Sequence, residues 1–115
     1  MRGKSLSLVG ASIRKALESI YIDKVILSSK ALNDTEGLTD ATMEEGEVKQ
    51  AMIEKANQVY VIADHTKIGK LAFFQVCEPE RIDKVITDRL KPLKPEQEQC
   101  LEHLREKGVD VIITE

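Results

Sequence analysis

A chain of 115 residues has room for one hydrophobic core of ordinary domain size and excludes a second folded domain. Hydrophobic residues make up 42% and charged residues 32%, which excludes the low-hydrophobicity composition of a disordered chain. Lys and Arg number 17 against 20 Asp and Glu, a formal charge of -3, the reverse of the basic excess with which nucleic-acid modules neutralise phosphates.

The longest uncharged run, residues 5–13, falls far short of the roughly 20 apolar residues that span a bilayer, and the start lacks a secretory apolar segment. The chain therefore reads as cytoplasmic, with no membrane partner. Cys77 and Cys100 lack the spacing of zinc or redox pairs and read as free thiols. The aromatic residues Tyr21, Tyr60, Phe73 and Phe74, with no Trp, leave little for stacking bases or sugars, so binding is expected to be polar.

Ser5–Val9 alternates and could form a short strand. Ile13, Ala16, Leu17 and Ile20 then share one face of a helix expected from about Ala11 to Ile20. Val25-Ile26-Leu27 is an unalternating aliphatic run, the pattern of a parallel strand covered on both faces. Thr42 and Glu45 make a capping box for a helix from Met43 to Ala56, with Val48, Ala51, Met52 and Ala56 as its apolar face. Val59–Ala63 is a second buried strand, Leu71–Val76 an irregular strand-like stretch, and Val85–Thr87 a third strand. Pro95 opens a helix whose apolar face is Cys100, Leu101 and Leu104, Gly108 caps it, and Val109–Ile113 closes as a strand. Helices alternating with buried strands predict a three-layer α/β fold around a parallel sheet.

In such sheets ligands bind beyond the carboxyl ends of the strands. Two segments lie there: the long polar stretch Ser28–Asp40, and Asp64-His65-Thr66-Lys67-Ile68-Gly69-Lys70, where a carboxylate, a hydroxyl and an ammonium could hold a hydroxylated anion. Each has a plainer reading. Asp64 could cap the following turn and Lys67 could be a solvated surface lysine. His65 has no second ligand at metal spacing, His103 reads as exposed, and neither thiol has a base beside it. No metal or cofactor is expected.

Five segments taken in order change the weighing. Asp23-Lys24-Val25-Ile26-Leu27, Gly37-Leu38-Thr39-Asp40, Glu47-Val48-Lys49-Gln50-Ala51-Met52-Ile53, Ala63-Asp64-His65-Thr66-Lys67-Ile68-Gly69 and Ile82-Asp83-Lys84-Val85-Ile86-Thr87-Asp88 together resemble the C-terminal sensor domain of DeoR-type transcriptional regulators, over about Ser5 to Ile113. The resemblance implies the fold of ribose-5-phosphate isomerase and glucosamine-6-phosphate deaminase. It also implies the role of an effector domain in a repressor of carbohydrate catabolism, binding a phosphorylated sugar. Carried onto matching positions, it makes Gly37, Leu38, Thr39 and Asp40 the sugar side of a pocket and Asp64 and Lys67 ligand contacts, Lys67 to the phosphate. Ser28-Ser29-Lys30-Ala31 departs from the commoner family pattern and looks closer to a Ser-Cys-Lys-Gly variant, which adds Lys30.

The resemblance further implies that residues 1–115 are a partial sensor domain: the family's helix-turn-helix and an early strand with its phosphate loop would lie before Met1. DNA is then a partner only through that absent domain, and a homo-oligomer is expected. The rival reading is a sugar-phosphate isomerase or deaminase-like enzyme, with Asp40 or Asp64 as base, but the Gly-His pair of the deaminases is absent from Ser28–Asp40. A phosphoacceptor domain modified on Asp64 would need paired acids near the first strand to hold magnesium, and the sequence lacks them.

With neither a recognition helix nor a basic excess, this chain should show no specific affinity for an operator duplex at moderate salt. A gel-shift titration checks this, and specific retardation would refute it.

Overall fold

A computed structural model of the chain describes residue 12, residues 15–89 and residues 91–114. The order of elements is β1 (Ile22–Ser28), β2 (Ala31–Asn33), β3 (Gly37–Asp40), α1 (Met43–Lys55), β4 (Ala56–Ile62), β5 (Phe74–Cys77), β6 (Lys84–Asp88), α2 (Pro95–Glu106) and β7 (Asp110–Thr114). Short 3-10 turns occupy His65–Lys67 and Pro79–Arg81. Of the first expected helix, Ser12, Lys15 and Ala16 are helical and a turn follows through Ser19; Ala11, Ile13, Arg14 and the Ser5–Val9 strand lie outside the described residues.

Four strands form a parallel sheet in the order β1-β4-β6-β7. Alternate residues of these strands face a single core: Val25 and Leu27 of β1, Val59 and Val61 of β4 and Val85 of β6 pack with Ile53 of α1 and Leu101 and Leu104 of α2. Both helices therefore lie on one face. The opposite face carries Ile26, Ile62 and Ile112, and Ile26 is 61% exposed. One expectation is corrected here: within the described residues the first strand is covered on one face rather than both. On the covered face α1 and α2 form one layer.

The helix ends follow local chemistry. The Thr42 hydroxyl accepts from the Glu45 N–H at 3.2 Å, and Glu44 and Glu45 sit where the positive end of the helix dipole favours acids. The buried residues of α1 are Gly46, Ala51 and Ile53; of the expected face, Ala51 and, just past the helix, Ala56 are buried, and Met52 packs partly buried against the core. Gly46 is needed because a Cβ there would meet the Phe74 ring at 2.1 Å. At the end of α2, Val109 N–H donates to Leu104 O and Gly108 N–H to Arg105 O, with Gly108 at φ +94°, the closing pattern that a glycine at this position makes possible.

A further correction concerns Ser28–Asp40. It is not an open loop: Ala31–Asn33 and Gly37–Asp40 pair as an antiparallel hairpin, and β5 adds to β3, making a second sheet of order β2-β3-β5. Its Leu32 and Leu38 are fully buried in the common core. The hairpin turn is anchored to α2, where His103 Nδ1 lies 2.6 Å from Asp34 Oδ2 and Lys107 donates to Asp34 O. His103 is thus half-buried and paired rather than free. Burial pushes the Asp34 carboxyl up, but the His103 hydrogen bond and the nearby positive charges outweigh it and hold the group below its ordinary value.

Gly37 closes that turn at φ +78°, and a Cβ there would lie 2.3 Å from Cys77 O. Gly69, at φ +82°, has nothing within 4 Å of that position. Gly37→Ala should therefore destabilise by about 3 kcal/mol or more, and Gly69→Ala by only about 1–2 kcal/mol of backbone strain. Urea unfolding of both variants checks the order.

Candidate functional site at the carboxyl ends of the parallel strands

Because the sheet is parallel, the segments leaving β1 and β4 emerge side by side: Ser28 pairs with Ile62, and Ser29 N–H donates to Ile62 O at 3.0 Å. This brings Ser28-Ser29-Lys30 next to Ala63-Asp64. Ser29 is buried, and its hydroxyl has no partner among the described residues. Lys30 is exposed.

Asp64 does cap the following turn. Its carboxylate accepts from Thr66 N–H at 2.8 Å and from the Thr66 hydroxyl. Those hydrogen bonds, helped by the nearby Lys67 charge, hold the carboxyl below its ordinary value against an opposing effect of burial. Asp64 is exposed and Lys67 half-buried, so an anion and a cation stand together on one short turn. The rest of that segment is structural: Ile68 is buried and bridges Leu32, and Gly69 N–H donates to Leu32 O at 2.7 Å.

The Gly37-Leu38-Thr39-Asp40 segment lies deeper than the sequence suggests. Leu38, Thr39 and Asp40 are all buried. The Thr39 hydroxyl donates to Ala31 O at 3.4 Å and accepts from Ala72 N–H at 2.9 Å, tying β2, β3 and the chain before β5 together. Asp40 has no exposed side-chain surface, accepts from Ala41 N–H, and meets Lys49 Nζ at 2.6 Å. Lys49 also donates to Ser28 O at 2.8 Å, so one ammonium joins the end of β3 to the end of β1.

Sequence reasoning gave Lys49 no role of its own and weighed His65 only as a metal ligand. His65 Nδ1 is 2.6 Å from Asp88 Oδ1, and its backbone N–H donates to Asp88 Oδ2, which locks the Asp64–Lys67 turn onto the end of β6. The available signal was the order of the segments themselves. Asp40 and Lys49 belong to the second and third, His65 and Asp88 to the fourth and fifth, and the fold pairs them. Asp83 of the fifth segment likewise accepts from Val59 N–H of β4 at 2.7 Å. Near the strand ends, Thr87 is buried with its hydroxyl unpartnered among the described residues, beside a hollow lined by Ala63, Asp64 and Asp88.

Burial pushes both thiols up to about 11, so neither Cys77 nor Cys100 is a nucleophile at neutral pH. Among the described residues no group of three or more His, Cys, Asp or Glu is placed to hold a metal ion, and no helix is long and apolar enough to cross a membrane.

The family model for the DeoR C terminal sensor domain matches residues 1–89. The chain belongs to this family. It is 39% identical over 108 residues to the transcriptional repressor GlcR of Bacillus subtilis, covering 94% of this chain and 40% of that protein. It is 35% identical over 101 residues to the transcriptional regulator IolR of the same organism, covering 87% and 39%. With the lactose phosphotransferase system repressor of Staphylococcus aureus it shares 30% over 88 residues, covering 76% and 35%. The chain thus spans about two fifths of the length of these relatives. All are named as transcriptional regulators, and the DeoR sensor assignment sets aside the isomerase or deaminase reading in favour of a regulatory, non-enzymatic domain.

The buried Asp40 makes a direct test of the ion pair. Lys49→Met strands a carboxylate with no exposed surface and should destabilise by about 3–5 kcal/mol. The double variant Lys49→Met, Asp40→Asn should recover a large part of that loss. Chemical denaturation of wild type, both single variants and the double variant gives the coupling.

Proposed function

We propose that this DeoR sensor domain binds a phosphorylated sugar at the carboxyl ends of β1, β4 and β6 and reports its presence to a DNA-binding domain outside this chain. The observation that carries the reading is the adjacency of Ser28-Ser29-Lys30 to the Asp64–Lys67 turn. Lys30 and Lys67 supply ammonium groups for a phosphate, and the Asp64 carboxylate, kept ionised, accepts from sugar hydroxyls. Gly37, Leu38, Thr39 and Asp40 form the packed support beneath, with Asp40 acting through Lys49. The lactose phosphotransferase name of one relative, and the repressor names of it and GlcR, fit an effector drawn from carbohydrate catabolism.

The domain is read as a partial sensor domain with the three-layer fold of ribose-5-phosphate isomerase and glucosamine-6-phosphate deaminase. Support comes from the parallel sheet with its site at the carboxyl ends, and from the exposed Ile26, Ile62 and Ile112, an apolar face of the kind a further layer covers. In a regulator of this kind the assembly is a homo-oligomer and DNA contact belongs to another domain.

Lys67→Ala should weaken binding of the responsive sugar phosphate by about 10- to 100-fold, the worth of one charge-assisted contact of about 1.5–3 kcal/mol, while Lys24→Ala, exposed at the start of β1, leaves it unchanged. Thermal-shift screening of phosphorylated and free sugars identifies the ligand, and calorimetry on the two variants tests the assignment. Equal affinities would remove Lys67 from the site.

A further inference from the structure

The parallel sheet ends differently at its two edges. On β1 the core-facing Val25 and Leu27 are 3% and 5% exposed, so that edge is sealed on its core side. On β7 the residues of the same orientation, Val111 and Ile113, are only half-buried against the core. Beside Ile113 a hollow of about 230 Å³ opens between β7 and α2, with Leu93 and Leu101 as its further apolar lining. Ile112, on the other face of β7, is 39% exposed. Among the described residues no strand pairs with the outer edge of β7. The core thus stops short at this strand, and apolar surface on both of its faces is left to be covered.

The main chain of β7 selects the occupant. Asp110 N–H donates to Asp83 O at 3.0 Å and Thr114 O accepts from Arg89 N–H at 3.1 Å, so both residues turn their peptide groups toward β6. Main-chain groups alternate sides along a strand, so Val111 and Ile113 turn theirs away from the sheet. β7 carries no lysine, proline or bulge of the kind that blunts a free edge, and its one charged residue, Asp110, stands at its start, 3.8 Å from Lys84. Such an edge is its own complement. A two-fold axis through Ile112 sets an antiparallel copy of β7 beside the first with Val111 opposite Ile113 of the second copy, each such pair exchanging both N–H···O bonds. Asp110 then faces Thr114 of the second copy, so no like charges meet along the strand. The charged lining of the hollow is balanced, Glu98 and Glu102 against Arg89 and Arg105, so two copies of it approach without net repulsion.

We propose that β7 is a self-association edge: a second copy of this chain pairs with it antiparallel about Ile112, continuing the sheet as β1-β4-β6-β7-β7-β6-β4-β1 and completing the burial of Val111 and Ile113. The inference rests on the proposed function only for its homo-oligomer, to which it gives an interface. Ser28-Ser29-Lys30 follows β1 at the opposite edge of the sheet, so pairing at β7 leaves that segment clear.

The test combines sedimentation of the 115-residue chain over a wide range of concentration with amide hydrogen exchange and site-directed cross-linking. The chain should be a dimer that dissociates on dilution, and the Val111 and Ile113 N–H groups should exchange slowly in the dimer and rapidly once it is diluted. Ile112→Lys sets like charges opposite each other at the two-fold axis and should weaken the dimer by about tenfold or more, whereas Ile26→Lys on β1 should not change it. Ile112→Cys should form a disulfide with its own copy under mild oxidation, because residues opposite each other at a non-hydrogen-bonded position stand about 4.5 Å apart at Cα, within disulfide reach; Ile26→Cys should not. Thermal melts of these exposed-site variants establish that they fold. A chain that is monomeric at every concentration, a dimer undiminished in Ile112→Lys, or cross-linking through Ile26→Cys instead would overturn the proposal. Absence of sugar-phosphate binding in a chain whose Ile112→Cys variant still cross-links would count against the proposed function alone.

Discussion

The contact between Asp40 and Lys49 is the constraint around which the ligand end of this domain is built. Asp40 closes β3 with no exposed surface, and an ionised carboxylate so placed is tolerated only beside a countercharge and hydrogen-bond donors. Lys49 supplies the charge from α1 and spends a second donor on Ser28 O at the end of β1. One side chain thereby sets the position of the small sheet, the helix and the edge strand relative to one another.

The same economy holds across the sheet. Asp88, at the end of β6, holds both the ring and the backbone of His65, and Asp83, just before β6, receives the N–H of Val59. Arg81 donates to Ile53 O and Ala56 O, fixing the junction where α1 passes into β4 with no intervening loop. Acidic residues flanking a parallel strand thus do structural work at both of its ends. The exposed pair on the Asp64–Lys67 turn is what such bracing leaves free to meet solvent and ligand. A sensor needs this division, since effector binding can be transmitted only through elements whose relative positions are defined.

Much of the secondary structure was legible. Thr42 capped its helix, Pro95 and Gly108 bounded theirs, and every aliphatic run called a strand within the described residues became one. The hairpin of Ala31–Asp40 was not legible, because its strands of three and four residues are too short for alternation to register and their polar residues read as solvent-facing. Thr39 and Asp40 are polar and buried, a combination that depends on partners supplied from Ala72 and Lys49. The docking face of α1 was legible in part. Periodicity marked Ala51, Met52 and Ala56, which do pack inward, whereas Gly46 joins them because it leaves room for the Phe74 ring.

By itself the sequence determined the family, the parallel α/β character and the two segments that meet at the strand ends, since each rests on local composition or on motifs read in order. Only the tertiary structure decided which members of those motifs are buried supports and which are available to a ligand. It also decided that Lys49 and His65 brace the site and that one sheet face lies open. These are relations between residues far apart along the chain, such as Lys49 and Ser28 or His65 and Asp88, or between elements that pair out of order, as in β1-β4-β6-β7. Charge, burial and hydrogen-bond geometry at that range are properties of the folded arrangement, and no window along the chain contains them.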